Sequence, residues 1–551
     1  MRGYAVLAIS FRDWRDIILP ATMPSEMDLR LATDPRQSAE RRHSVLFCPH
    51  TTLRWRIWQL FFLVFVEAFS ITEGVMTLRT CGCRNGNPGE DYDSGPTACV
   101  AHPKVLKNIQ AQIAENSILS TADARIATMA GMLNIPAIGR TGFNDGVIYP
   151  PTGEEGPMLS ASDDGRRPAA RVSLAPTSGG VTLNCLVLLV DFSDNVGKTK
   201  PTHYQDLLFN KNKPNSMTTF YKEMSFGNLT VTGQVTDWIR AANPYGHYVD
   251  GQSGTGNNFP KNTPGLLQEI LQKYCQNNSL APFDSNGDGF IDGLFLVHAG
   301  GGAEAEPNPA KRKDMIWSHK WTLPSAFTNN GVKAYAYFTA PEDGKLGVFS
   351  HEFGHFLGLP DLYDTSYRSR GIGNWCLMAG GSWNGAGDQP ARMSAWCLST
   401  LGWIKPKNIT AAGNLSLKAL EADKTACYRL WTKGKASKEY FLIENRQQKG
   451  RDAKLPGHGL AVWHIDETQS DNTNPLAYKV ALVQADGKRE LEFNKNSGDP
   501  GDTFPGSAGV VKLDDKGTVH PHTRKNDGTT SGVALSKIKE VNDVIQLSVK
   551  V

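Results

Sequence analysis

The chain has 551 residues and a mass of 60.2 kDa, which excludes a small disulfide-stabilised scaffold and predicts several domains. Apolar residues make up 40% and charged residues 21% of the chain, a composition typical of an ordered globular protein. The net charge of +3 is too small for a chain built around nucleic acid or an anionic membrane surface. This excess lies in residues 1–56, an Arg-rich leader with nine Arg, no Lys and six acidic residues.

An apolar run, IWQLFFLVFVEAFS, follows the leader at residues 57–70. It is shorter than the roughly 20 residues that a spanning helix needs and has the length of the apolar part of a secretory signal. Because 56 residues precede it, three interpretations are open. The run is a signal peptide behind an upstream extension of the translated start, a type II signal anchor, or a buried core segment. The first predicts a secreted protein with no stable membrane span after processing, and the second a membrane-anchored one.

Three further regions follow the apolar run. Residues 71–180 are predicted to be a pro-segment and linker, with a helical stretch at 104–133 and a Gly-, Pro- and Ser-rich stretch at 146–180 that contains Arg166 and Arg167 as candidate processing sites. Continuous apolar strands at 185–192 and from Gly293 indicate a mixed α/β (α+β) domain at 181–404. Short alternating runs at 440–444, 459–465 and 480–484 predict a mostly β domain at 405–551.

The nine cysteines leave the redox state open. Cys48 precedes the apolar run, and its removal with a signal would leave eight, an even number that suits disulfides in a secreted protein. The alternative is a set of buried free thiols.

The segment HEFGHFLGLPDLYD, from His351, has the spacing of a catalytic zinc site. In a helix, His351 and His355 project from one face, where two neutral imidazoles can bind one Zn²⁺. Glu352 lies beside the first ligand, in the place of the general base of a zinc peptidase. The sequence therefore predicts a hydrolytic metal site with Glu352 as its catalytic residue.

The residues after the second histidine predict the third ligand. Gly358 lets the helix end in a left-handed turn, and Pro360 cannot continue the helix. The returning chain then presents Asp361, with Asp364 or a downstream Glu as alternatives. Three protein ligands would leave a fourth position for water, as catalysis requires.

Downstream, GIGNWCLMAGGSWNG at residues 371–385 places Met378 in a glycine-rich turn. A long zinc motif followed by a Met turn is the pattern of the metzincin peptidases, and Met378 resembles their conserved Met. The metzincin pattern usually has His where Asp361 stands.

Together with PARMSAWCLSTLGW from Pro390, these motifs resemble the immune inhibitor A family of secreted zinc metallopeptidases. Later segments, among them EYFLIENRQ from Glu439 and GDPGDTFPG from Gly498, resemble the region after the catalytic domain in that family. The resemblance covers residues 181–551 and implies a metzincin-like catalytic domain in a secreted, calcium-stabilised endopeptidase made as a zymogen.

The segment DSNGDGFID, from Asp284, is spaced like a calcium loop. Its predicted oxygen ligands are the side chains of Asp284, Asn286, Asp288 and Asp292 and the carbonyl of Phe290. Phe295 stands where an EF-hand has a bidentate Glu, so another ligand would be needed. A hydrogen-bonded Asx turn is the alternative. Asp499 and Asp502 form a weaker second candidate.

A pro-segment must block the open metal position, and Cys81 or Cys83 could supply a thiolate for this, although a disulfide suits both. The favoured function is zinc-dependent endopeptidase activity on protein or peptide substrates. Alternatives are a non-catalytic zinc-containing binding or adhesion module and non-peptidic hydrolysis at the same zinc. His298, His319 and His464 are interpreted as structural.

Overall fold

The computed structural model describes residues 97–115 and 180–551. All of these belong to one compact unit, Cys81–Val551, and the other unit, Met1–Thr80, lies outside the described residues. The Arg-rich leader, the apolar run 57–70, Cys81, Cys83 and the linker with Arg166 and Arg167 are likewise outside them.

A six-stranded mixed sheet forms the framework of the first part of the unit. Its strands are β1 (Thr97–Ala98), β2 (Val181–Asp191), β3 (Leu229–Arg240), β4 (Gly293–His298), β5 (His319–Asn329) and β6 (Val332–Pro341), in the order β1-β5-β6-β4-β2-β3. Strands β2, β3, β4 and β6 are parallel to one another, whereas β5 is antiparallel to both β6 and β1. The strands predicted at 185–192 and from Gly293 are thus confirmed.

Helices cover the two faces of this sheet. They are α1 (Pro103–Glu115), α2 (Pro201–Phe209), α3 (Met217–Met224), α4 (Tyr245–Val249), α5 (Thr263–Tyr274), α6 (Pro309–Arg312), α7 (Leu346–Phe356) and α8 (Ala395–Thr400). The helical prediction for 104–133 is confirmed as far as residue 115, and the remainder lies outside the described residues.

Alternate residues of β2 point into two separate cores, as the twofold repeat of a strand requires. Val187 and Leu189 belong to the core that contains α7, whereas Leu186 and Leu188 belong to the core that contains α5. Burial on both faces explains why β2 reads as a continuous apolar run rather than an alternating one.

Helix α7 is buried along its whole length, which its apolar character on all sides predicts. It ends in a Schellman motif, since the Leu359 amide donates to the Gly354 carbonyl (3.1 Å) and the Gly358 amide to the His355 carbonyl (3.0 Å). Gly358 has a φ of 95°, a conformation that a residue with a side chain rarely adopts. The left-handed turn predicted at this glycine is therefore present.

The C-terminal region is rich in β structure, as its alternating runs predict. One five-stranded sheet contains β7 (Lys407–Ile409), β9 (Tyr428–Trp431), β10 (Glu439–Arg446), β11 (Gly459–Asp466) and β12 (Val480–Leu482). A three-stranded sheet contains β8 (Gly413–Leu417), β13 (Ala534–Val541) and β14 (Val544–Lys550). Tyr440, Leu442 and Trp463 join the same core as α7 and α8, so this region packs directly on residues 181–404.

Two further expectations concern membrane-spanning segments and the redox state of the cysteines. None of the helices in residues 97–115 and 180–551 combines the length and apolarity that crossing a membrane requires. All six cysteines in these residues are free thiols, and the sulfur atoms of Cys376 and Cys397 lie 3.8 Å apart.

The first testable prediction concerns the close approach of α7 to the loop after Met378. A Cβ atom on Gly347 would lie 1.8 Å from the Ser382 carbonyl oxygen, so Gly347→Ala must push the helix and loop apart. We expect it to lower the free energy of unfolding by about 1–3 kcal/mol, as overpacking does. Gly246→Ala, in α4, is the matched control, because nothing lies within 4 Å of its added Cβ. Thermal unfolding of both variants tests this, and equal melting temperatures would contradict it.

Candidate metal centre

Three donor atoms converge beside the end of α7. His351 Nε2 and His355 Nε2 lie 3.2 Å apart, and Asp361 Oδ1 lies 3.1 Å and 3.3 Å from them. A tetrahedral ion with bonds of about 2.0–2.1 Å separates its ligands by about 3.3 Å. The spacing of the three atoms therefore fits one small cation. Two imidazole nitrogens this close together are stabilised when both bind the same cation or share a proton.

Backbone carbonyls orient both imidazoles. His351 Nδ1 lies 3.0 Å from the Leu377 carbonyl, and His355 Nδ1 lies 2.8 Å from the Leu359 carbonyl. A carbonyl can only accept, so Nδ1 carries the proton in both rings and the Nε2 lone pairs face Asp361. Because Leu359 is the last residue of the Schellman motif, the helix ending itself fixes the orientation of His355.

Charge within the cluster keeps Asp361 ionised. Burial alone would raise the pKa of its carboxyl group, but the positive charge and the hydrogen bonds of the neighbouring imidazoles in their protonated, metal-free form outweigh burial and hold the pKa below its usual value. Burial is also the main reason that the pKa of His355 is lowered. An ionised carboxylate and neutral imidazoles are the protonation states in which these groups bind a metal.

Glu352 is fully buried next to this cluster. Both of its carboxylate oxygens are buried, and neither makes a hydrogen bond of ordinary geometry to another described residue. Its pKa is raised well above the usual value, first by burial and then by the negative charges of Asp361 and Glu304. A carboxylate in this position gains from a cation and a water molecule close by.

The turn around Met378 supports the cluster of His351, His355 and Asp361 through its backbone carbonyls. Its Leu377 carbonyl holds His351, and its Met378 carbonyl accepts a hydrogen bond from the Leu362 amide (2.7 Å), next to Asp361. The Met378 sulfur packs against α7 where Gly354 lacks a side chain, since a Cβ there would lie 2.4 Å from it. The glycine between the two histidines thus makes room for this methionine.

The C-terminal region also contacts the turn around Met378. Arg446 is buried, donates to the Trp375 carbonyl (3.0 Å) and pairs with Asp452 (2.8 Å). Asn472 donates to the Leu362 carbonyl (2.9 Å). Residues after 404 therefore hold the backbone just before Met378 and just after Asp361.

Asp364, the alternative third ligand, is placed differently. Its two carboxylate oxygens accept hydrogen bonds from the amides and hydroxyls of Ser366 and Ser369. Among the described residues, the group with donor atoms within 4.8 Å at this centre consists of His351, His355 and Asp361. Two imidazoles and a carboxylate are the donor set of catalytic zinc sites, so the residues fit zinc.

The predicted calcium loop forms a set of internal hydrogen bonds. Asp284 accepts from the amides of Gly287 (2.8 Å) and Gly289 (3.0 Å), and Asp292 accepts from the Asn184 amide (2.7 Å). Burial raises the pKa of Asp292 to about 6. These contacts have the form of the Asx-turn alternative, and calcium binding here stays a prediction.

At the weaker calcium candidate, the acidic residues that lie close together differ from the predicted pair. Donor atoms of Asp486, Glu490 and Asp499 lie within 4.8 Å of one another, and Lys488 pairs with Asp486 at 2.8 Å. Asp502 is buried beside them and accepts from the Trp375 indole (2.9 Å), with burial raising its pKa to about 7. Sequence analysis identified Asp499 and Asp502 but missed Asp486 and Glu490, which lie outside the motif.

The structure also brings unpredicted residues to the centre. Glu304 is buried and accepts from the amide (3.1 Å) and hydroxyl (2.5 Å) of Ser318. Cys99 is buried near Glu352 and Asp361, whose charges affect its pKa. No local pattern in the sequence marks either residue, because each reaches the site through a long-range contact.

The three histidines interpreted as structural are hydrogen-bonded. His319 contacts the Trp317 carbonyl at 2.6 Å, His298 the Ala299 carbonyl at 3.1 Å and His464 the Glu439 carboxylate at 3.0 Å. Burial lowers the pKa of His298 and His319 to about 4 in each case.

Comparison with known proteins shows what the same region is similar to. Residues 181–404 match the family model described as immune inhibitor A peptidase M6, catalytic domain. The chain is 34% identical over 261 residues to immune inhibitor A of Bacillus thuringiensis subsp. alesti, a match that covers 38% of each chain. It is 32% identical over 313 residues to the pre-pro-metalloprotease PrtV of Vibrio cholerae serotype O1 (strain M66-2), covering 46% of this chain and 33% of the relative. A putative secreted metallopeptidase of Arthroderma benhamiae is 33% identical over 90 residues, 16% of this chain and 13% of the relative. The matches thus span 38% and 33% of the length of the first two relatives.

The second prediction identifies the third ligand. Asp361→Asn removes the anionic donor, and we expect zinc affinity to fall by at least about 100-fold, because even partners of ligands are worth about 10–100-fold. Asp364→Asn is the matched control and should retain one zinc per chain, since Asp364 is bonded to two serines instead. Metal analysis after dialysis against a weak chelator measures both. Loss of zinc from Asp364→Asn alone would assign the ligand to Asp364.

Proposed function

Because residues 181–404 belong to the M6 peptidase family of immune inhibitor A, we propose that this chain is a zinc-dependent endopeptidase that hydrolyses peptide bonds in proteins. The observation that carries the proposal is the convergence of His351, His355 and Asp361 within 3.1–3.3 Å, with buried Glu352 on the same helix. A structural zinc site has no use for such a carboxylate, whereas peptide hydrolysis requires a proton acceptor.

The chain's own groups supply proton transfer and orientation. His351, His355 and Asp361 would hold the zinc ion, which would supply a Lewis acid for the scissile carbonyl and the attacking water. Glu352 takes a proton from that water and delivers it to the leaving amine nitrogen. The Leu377 and Leu359 carbonyls keep the imidazole rings in place.

We further propose that the catalytic part is metzincin-like and that Met378 serves as the methionine of a Met turn. Two contacts support this: the packing of Met378 against Gly354, and the Leu377 and Met378 carbonyls that hold His351 and Leu362. Asp361 takes the place where metzincins usually have histidine. An anionic ligand lowers the net positive charge of the site and so reduces its Lewis acidity.

Secretion and synthesis as a zymogen complete the proposal. The apolar run at 57–70 supports secretion, and the relative from Arthroderma benhamiae carries the word secreted in its name. The Vibrio cholerae relative is named a pre-pro-metalloprotease. Hydrogen bonds from Tyr363 to the Ala98 carbonyl (2.7 Å) and from Trp317 to the Cys99 carbonyl (2.8 Å), which hold a segment before residue 180 against residues 181–404, support latency.

The runner-up function is a zinc-containing binding or adhesion module in which the β-rich region after residue 404 binds a partner. The buried Glu352 favours the peptidase, since a binding module gains nothing from a carboxylate that costs free energy to bury. Non-peptidic hydrolysis would use the same residues, and a peptide library distinguishes it from proteolysis.

The third prediction tests catalysis. Glu352→Gln keeps the size of the side chain but cannot accept a proton, so we expect kcat to fall by about 10²–10⁴-fold while one zinc per chain is retained. Glu421→Gln, at a half-exposed position far along the chain, is the matched control and should leave kcat unchanged. Cleavage of denatured casein by the processed enzyme, with and without a zinc chelator, is the assay. Zinc-loaded wild-type enzyme without chelator-sensitive cleavage would support the binding module instead.

The fourth prediction tests calcium, which we propose for residues 284–292. If the oxygens of Asp284, Asp288 and Asp292 take calcium, adding it to calcium-free Glu352→Gln protein should stabilise the fold by about 2.7 kcal/mol at 100 times Kd. Asp288→Asn should remove most of this gain, and Asp486→Asn should not. Melting curves with Mg²⁺ as the control measure the effect. An unchanged melting temperature leaves the loop as a hydrogen-bonded turn.

A further inference from the structure

We propose that a cavity beside the metal centre is a specificity pocket, in which Arg370 binds the carboxylate of an acidic side chain of the substrate. This inference rests on the proposed peptidase function and names the class of residue that the enzyme selects. Arg370 follows the zinc motif and precedes the glycine-rich turn around Met378, so neither motif gives it a role.

The first argument is the distance of the cavity from the metal centre. Tyr363 forms part of the cavity wall, and the centroid of its ring lies 6.3 Å from that of His351. An extended peptide advances about 3.3 Å per residue, so this distance corresponds to about two residues. A side chain that enters the cavity therefore belongs to a residue close to the scissile bond.

The second argument is that the backbone around Arg370 is fixed against the loop that carries the third ligand. The Arg370 amide donates to the Leu491 carbonyl (2.9 Å), and the Ile372 amide donates to the Leu362 carbonyl (3.0 Å). Gly371 has a φ of 56°, and a Cβ atom on it would lie 2.0 Å from the Leu362 carbonyl oxygen. Glycine permits this close approach, which holds the guanidinium-bearing residue at the cavity.

The third argument is that the positive charge of Arg370 lacks a partner. Among the described residues no carboxylate pairs with its guanidinium, and its Nε is buried without a hydrogen-bond acceptor. Burial lowers the pKa of Arg370 to about 10. The buried arginines Arg446 and Arg451, in contrast, pair with Asp452 (2.8 Å) and Glu223 (2.7 Å). Because an unpaired charge costs free energy to bury, a ligand that brings an anion is favoured here.

Asn374 adds a second unsatisfied polar group to the same cavity. Its Oδ1 is buried without a hydrogen-bond donor and lies against Gly380, where an added Cβ would be 2.5 Å from it. Arg370 and Asn374 together therefore suit a ligand that offers both an acceptor and a donor. An Asp or Glu residue of a peptide offers both, in its carboxylate and its backbone amide.

The other residues of the wall favour a carboxylate over a neutral side chain. Asp364 also lines the cavity, but its two oxygens accept from the amides of Ser366 (2.8 Å) and Ser369 (3.0 Å). The aromatic side chains of Tyr367 and Trp383 complete this part of the wall. An Asn or Gln side chain could make similar hydrogen bonds, but only a carboxylate neutralises the guanidinium and matches its fork of donors.

The remaining wall comes from residues before the linker. Val100, Ala101, Pro103 and Leu106 line the cavity on this side. The processing proposed for the zymogen would remove them, and the cavity would then be open to a substrate. The specificity pocket is therefore a property of the processed enzyme.

The first test uses zinc-loaded, processed enzyme and a peptide library with amidated C-termini, with cleavage sites read by mass spectrometry. We expect Asp and Glu to be enriched over Asn and Gln by about tenfold at one position near the cleaved bond. Arg370→Met keeps the apolar stem, removes the charge and should abolish this enrichment. Arg368→Met is the matched control, because it removes the same charge from an exposed side chain that donates to the Ser366 hydroxyl (2.9 Å). It should keep the enrichment.

The second test does not depend on folding of the variants. Wild-type enzyme is given two quenched fluorescent peptides, both amidated, that differ only by Glu or Gln at the enriched position. We expect kcat/KM of the Glu peptide to be about 10–100-fold higher, the effect of hydrogen bonds between charged groups. Arg370→Lys keeps the charge without the fork of donors and should retain part of this preference. The Gln peptide with a free C-terminus shows whether a terminal carboxylate serves equally well.

The outcomes separate the pocket from the peptidase function. Equal kcat/KM for the Glu and Gln peptides would overturn the specificity pocket and leave the peptidase standing. Loss of the enrichment in Arg368→Met as well as in Arg370→Met would assign it to surface charge and also overturn the pocket. A free C-terminus that raises kcat/KM of the Gln peptide as much as Glu does would overturn the assignment to an acidic side chain. Zinc-loaded, processed enzyme that cleaves no peptide at all would instead overturn the peptidase function.

Discussion

The rest of the catalytic part is organised around three acceptor atoms that face one another in a buried space at the end of α7. Nε2 of His351, Nε2 of His355 and Oδ1 of Asp361 would repel without a cation, so their approach must be enforced by the surroundings. The Schellman motif aims His355, and the turn before Met378 aims His351. Packing of α7 on the sheet supplies the rigidity that such an arrangement needs.

The parts that sequence could predict are those whose cause is local. The four-residue spacing of His351 and His355 places both imidazoles on one face once a helix forms, and Gly358 determines where that helix ends. In the same way, the continuous apolar residues of β2 and β4 predict that both strands are buried. The ligand group therefore followed from the sequence, although its role in zinc binding stays a proposal.

What sequence could not predict depends on contacts between distant segments. Cys99, Glu304 and Asp486 reach their sites across long stretches of chain, and no residue pattern nearby marks them. The calcium loop shows the opposite difficulty: its Asp and Asn residues suit either an ion or an Asx turn, because both use the same oxygen atoms.

The buried Arg446 has a consequence for how this architecture can be inherited. Its guanidinium lies in the β-rich region, yet it holds the Trp375 carbonyl three residues before Met378. A recombination event that transferred residues 181–404 alone would leave that carbonyl and the apolar side of α8 open to solvent. Residues 181–404, the segment that the family model matches, therefore share a core and a buried hydrogen bond with the region that follows, and we expect the two regions to be inherited together.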